Sequence, residues 1–153
     1  MLIARLHRLS AERHTLALRL DDGAIVSVEL ETRSLLVHDL VHWCVEAELD
    51  LDEGFWGLLA SGVPLEVLND RETPPSTFTT LWRVEGLVGP LESYLQGRLP
   101  HDLLVEALPS SFTLANLRGV EARFRSALGA WKATPFGGAL VLTWPPSAPV
   151  VSS

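Results

Sequence analysis

Hydrophobic and polar residues alternate from Leu2 to Leu9 and again from His14 to Leu20, the period of a strand with one dry face and one wet face. Asp21-Asp22-Gly23 then supplies turn chemistry, because aspartate hydrogen-bonds its own backbone and glycine accepts a positive φ. Ile25-Val26-Ser27-Val28-Glu29-Leu30 resumes the alternation. These patterns predict a three-stranded antiparallel meander whose dry face must be covered by helices.

The period changes after Thr32 and Ser34, either of which can cap a helix running from about Leu35 to Leu49. The acidic turn Asp50-Leu51-Asp52-Glu53-Gly54 closes it. Phe55-Trp56-Gly57-Leu58-Leu59-Ala60 reads as a short helix ended by Gly62, Pro64 opens a turn reaching Leu68, and 69–80, with Pro74-Pro75, reads as a surface loop. Leu81 to Val88, Pro90 to Leu95 and His101 to Leu108 follow as separate short helices, punctuated by Gly89-Pro90, Gly97 and Pro100. Leu114, Leu117, Val120, Phe124, Leu128 and Trp131 recur at steps of three and four, which predicts one long helix from Leu114 to Lys132. Gly137-Gly138 breaks the pattern, and Ala139 to Trp144 reads as a strand that returns to the sheet. The expected fold is α+β: a small antiparallel sheet, made of the N-terminal meander and a C-terminal strand, packed against several helices. We expect one domain over 1–144 and a disordered Pro-rich tail over 145–153.

Composition narrows the function classes. With 153 residues, 47% hydrophobic and 20% charged, the chain can build one core, so disorder is excluded as its general state. A net charge of -7 repels phosphate, which argues against nucleic acid and anionic membrane surfaces as partners. Cys44 is the single cysteine, so neither an internal disulfide nor a cysteine zinc cluster can form, and a reducing cytoplasm fits best. The opening MLIARLHRLS interrupts its apolar residues with Arg5, His7 and Arg8, unlike a secretory signal, and no run approaches the ~20 apolar residues of a membrane span.

The candidate chemistry lies in the first helix. His38, His42 and Glu46 recur at four-residue intervals, with Asp39 on the neighbouring edge of the same stripe. Two histidines at i and i+4 can hold a divalent metal such as zinc, as in the H-E-x-x-H pattern, although Asp39 replaces the usual glutamate. A third ligand must come from elsewhere, and His101 or Asp102 is the expected source. The plainer reading is a solvated stripe in which His42 and Glu46 pair across one turn. Phe55 and Trp56, between Gly54 and Gly57, offer either a stacking surface or ordinary core packing. Cys44 lies on the apolar side and is expected to be an inert buried thiol. Phosphate-binding loops, the G-x-S-x-G elbow and a complete calcium loop are all absent from the sequence.

The combination of His38-Asp39-Leu40-Val41-His42, Val45-Glu46, Gly54-Phe55-Trp56-Gly57 and Gly137-Gly138-Ala139-Leu140 before Trp144 resembles a group of small uncharacterised bacterial proteins. The resemblance implies a bacterial, cytoplasmic, single-domain protein and carries no activity with it. Two functions follow as expectations. The first is a small cytoplasmic binding or regulatory protein without catalytic activity or cofactor, acting on a protein partner or as a homodimer through the stripe or the Phe55-Trp56 corner. The second is a metal-dependent hydrolase in which His38, His42 and His101 hold zinc and Asp39 or Glu46 positions water. A metal-free acid–base pair of His42 and Glu46 is a third.

Overall fold

The computed structural model describes residues 1–68 and 77–146, together with the backbone of 151 and 152. The chain forms an antiparallel sheet with helices packed on it. β1 (Leu2–Arg8), β2 (Arg13–Arg19) and β3 (Ile25–Glu31) make the meander, and β4 (Ala139–Trp144) pairs with the other side of β1, giving the order β3-β2-β1-β4. The α+β class and the C-terminal return to the sheet are as the patterning predicts. Leu6 stands between Leu16 and Leu140, and Ala4 between Leu18 and Leu142. This register puts the apolar set of three strands on one face, where all of these residues are buried.

Among the described residues, five helices follow the meander and precede β4: α1 (Thr32–Glu48), α2 (Phe55–Ala60), α3 (Thr79–Leu95), α4 (His101–Ala107) and α5 (Leu114–Ala133), with a 3-10 turn at Leu65–Leu68. α1 is the central one, in contact with α2, α3 and α5. Every residue from Asp39 to Glu46 is buried, so polar groups on this stretch must find partners inside the protein. α5 is the most clearly signalled helix. Thr113 and Asn116 cap it reciprocally, with Asn116 N–H on Thr113 Oγ1 at 3.0 Å and Thr113 N–H on Asn116 Oδ1 at 2.9 Å.

Three local expectations are corrected. Neither Thr32 nor Ser34 caps α1: the N-cap is Glu31, and Thr32 Oγ1 instead lies 2.9 Å from His14 Nδ1 of β2. The two short helices expected on either side of Gly89-Pro90 are one continuous α3. Pro90 cannot donate to the carbonyl four residues back, and its ring normally crowds that turn. Leu81, Val84, Val88 and Leu91 bury one continuous face across the interruption, which offsets that cost. The expected loop over 69–80 ends in the first turn of α3, and its residues 69–76 lie outside the described residues. Of the Pro-rich segment, 147–150 and 153 also lie outside them, while Val151–Ser152 pairs with β4 as a short strand β5. No helix among the described residues is long and apolar enough to cross a membrane.

Candidate metal centre

The stripe on α1 faces inward. His42 is 1% and Glu46 0% exposed, which overturns the reading of a solvated pair. The reason is that α2 and α3 close over this side of α1, and each covering element supplies a partner.

α2 meets Glu46. Its carboxylate accepts the backbone N–H of Phe55 at 2.8 Å and Trp56 at 2.9 Å, with that of Gly57 at 3.4 Å. These are the first N–H groups of a helix, which have no partner within it, and the N-cap Gly54 offers no side chain for them. Glu46 therefore caps α2 from another helix and lies at the positive end of its dipole. The glycines make the approach possible: a Cβ on Gly54 would run into the Glu46 carboxyl, and one on Gly57 into the backbone carbonyl of Asp52. Trp56 adds a second tie, its indole N–H donating to the Asp39 carbonyl at 3.0 Å. Phe55 and Trp56 are 2% and 1% exposed, so the proposed binding surface at this corner is corrected to core packing against α1.

α3 meets the histidines through Glu85, which no sequence motif marks as a site residue. Glu85 Oε1 lies 2.8 Å from His42 Nε2, and Glu85 Oε2 lies 3.5 Å from His38 Nε2. The two rings stand edge to face with centroids 4.8 Å apart. Both Nε2 atoms thus converge on one carboxylate. His42 Nδ1 is backed by Glu46 Oε2 at 3.0 Å, whereas His38 Nδ1 has no hydrogen-bond partner among the described residues and lies 3.7 Å from Asp39 Oδ1. The one sequence signal for Glu85 is its place beside the apolar stripe Leu81, Val84, Val88 and Leu91, where an acidic residue requires a partner.

His101 does not join this group. It is exposed at the start of α4, with its ring 6.0 Å from that of Tyr94, and the third place expected for it belongs to Glu85. One ligand atom from each of His38, His42 and Glu85 lies within 4.8 Å of the others. A tetrahedral ion with bonds near 2.0 to 2.1 Å needs ligand atoms about 3.3 to 3.5 Å apart, so small side-chain rotations would complete the triangle. Asp102 lies on the exposed face of α4.

The charges explain why the cluster is stable as a group. Asp39, Glu46 and Glu85 bring three carboxylates to two imidazoles. Burial works against a charged His38, yet Asp39 and Glu85 outweigh it and raise its pKa to about 9. Burial opposes the charge on His42 likewise, and Glu46 and Glu85 push its pKa up. Burial favours a neutral Glu85, but the two imidazoles dominate and hold it down to about 2. Farther along α3, burial raises the pKa of half-buried Glu92, against the attraction of His38. Two bound protons, or one divalent cation, would each leave the three carboxylates and two histidines with the same net charge. Cys44, on the opposite side of α1, takes no part: it is fully buried, and burial pushes its thiol up to about 12, as expected of an inert core cysteine. No family model, curated protein or solved structure matches this chain.

Proposed function

We propose that this is a small divalent-cation-binding protein of the cytoplasm, with His38, His42 and Glu85 as the protein ligands. The observation that carries the reading is the convergence of both imidazole Nε2 atoms on one carboxylate, with the Glu46 carboxylate hydrogen-bonded behind the His42 Nδ1. A carboxylate hydrogen-bonded behind a ligating histidine, as Glu46 is behind His42, fixes the tautomer, orients the ring and makes it a better donor. Two nitrogens and one oxygen favour a borderline ion, and zinc is the first choice by donor type and availability.

The arrangement supports binding more than turnover. Glu46, one of the two residues expected to position water in a hydrolase, already accepts from His42 and the α2 backbone on its two oxygens. The site also joins α1 to α3, and through Glu46 to α2, so an ion there would hold three helices in register. This is the behaviour of a structural or regulatory site.

Metal analysis by mass spectrometry on tag-free protein, dialysed against micromolar zinc and then buffer, tests the proposal. It predicts close to one equivalent in the wild type and in His101→Ala, and loss in Glu85→Gln and in the His38→Ala, His42→Ala double variant. A metal-free wild type, or retention in Glu85→Gln, would overturn it.

A further inference from the structure

A second site lies on the other flank of α3. Successive helix residues turn about 100°, so Arg83 and Glu85 face nearly opposite directions. On the Arg83 side, the end of α1, the first turns of α3 and the loop before α5 enclose a cavity of about 570 Å³, within the range of small-molecule sites. Its wall is mainly apolar, from Leu49, Leu51, Val84, Leu87 and Phe112 among others, and the one charged group lining it among the described residues is Arg83. Arg83 is exposed, and its guanidinium has no hydrogen bond or ion pair among the described residues. Thr80, which also lines the cavity, donates from Oγ1 to Glu53 Oε2 at 3.4 Å.

We propose that this cavity binds a small organic anion with an apolar body, such as a medium-chain carboxylate, the apolar part filling the cavity and the anionic group meeting Arg83. The assignment follows from complementarity: an apolar volume demands a hydrophobic ligand, and a cation at its rim that is unpaired among the described residues selects a negative one locally, against the chain's net charge of -7. It does not depend on the metal site, because none of His38, His42 and Glu85 lines this cavity.

The test is an amide NMR titration of the full chain with octanoate and, as the neutral counterpart, 1-octanol. Two variants accompany it. Gly86→Phe adds a ring at a cavity-lining position where a Cβ meets nothing, and Arg83→Gln changes an exposed residue with no hydrogen bond or ion pair among the described residues. The proposal predicts saturable octanoate shifts centred on Val84, Leu87 and Phe112, abolished by Gly86→Phe. Arg83→Gln is expected to weaken octanoate about fivefold, the upper range for an exposed ion pair, and to leave octanol unchanged. Absence of saturable octanoate binding, or octanoate binding unaltered in Arg83→Gln or in Gly86→Phe, would overturn it.

Discussion

Replacing Glu46 by glutamine keeps the shape of the side chain and removes half of its accepting capacity. Oε2 receives the Phe55 N–H and faces His42 Nδ1, and Oε1 receives the Trp56 N–H. The least harmful placement of the new amide nitrogen is at Oε2, where it can donate to a neutral His42 but leaves the Phe55 N–H without an acceptor. The variant then loses at least one hydrogen bond to a charged group, worth about 1.5 to 3 kcal/mol, and leaves a buried donor unsatisfied at about 1 to 3 kcal/mol. The other placement puts two donors face to face at Trp56. With the pairing to His42 also removed, Glu46→Gln is expected to cost about 3 to 5 kcal/mol, the range for breaking a buried pair. With a urea slope of about 2 kcal/mol/M, the unfolding midpoint falls by about 1.5 to 2.5 M. Circular dichroism in urea on chelator-treated protein measures this directly. A loss below about 1 kcal/mol would refute the claim that Glu46 holds α2 to α1.

The same geometry fixes other outcomes. Gly54→Ala forces a Cβ onto the Glu46 carboxyl and is expected to destabilise by about 1 to 3 kcal/mol, whereas Gly129→Ala, in the open on α5, is expected to stabilise by about 0.5 to 1 kcal/mol; thermal melts of the pair compare them, and similar effects would remove the close-approach argument. In chelator-treated protein, His38 has a folded pKa of about 9 against 6.5, so its contribution is complete below pH 6.5 and is lost as pH rises through 9. Glu85 has about 2 against 4.5, so its contribution is present above pH 4.5 and is lost as pH falls through 2. Stability from this pair is thus greatest between those limits and declines by about 2 to 3 kcal/mol from pH 6.5 to 9; urea midpoints that stay flat or rise over that interval would contradict it. Cys44, buried with its thiol near 12, is expected to react with a thiol reagent only at the rate of unfolding; prompt labelling of native protein would place it elsewhere.

Much of the fold is legible because its signals are local. The alternation of β1 and β2, the three-and-four spacing of α5 and the single apolar strand β4 each state their structure within one segment. α3 is the exception: Gly89-Pro90 carries a strong breaking signal, and only burial of Leu81, Val84, Val88 and Leu91 against other elements overrides it. The site divides the same way. His38, His42, Asp39 and Glu46 can be grouped by helical arithmetic, and Gly54-Phe55-Trp56-Gly57 stands out by composition. That the two belong together, as a carboxylate and the helix end it caps, depends on how the chain turns between residues 48 and 55, and spacing does not encode that. Glu85 is 43 residues from His42 in sequence, and only the packing of α3 on α1 brings it there. His101 is a ligand candidate by residue type, but α4 carries it to the surface.

The most direct test of the metal centre is a zinc titration of chelator-treated protein followed by the imidazole nitrogen resonances in long-range proton–nitrogen NMR. The chain has five histidines, so each can be followed separately. The account predicts that at one equivalent the Nε2 signals of His38 and His42 move to metal-bound positions while the His42 Nδ1 stays protonated toward Glu46, and that His7, His14 and His101 do not change. Unmoved His38 and His42 signals, or zinc-dependent shifts centred on His101 or His7, would contradict it.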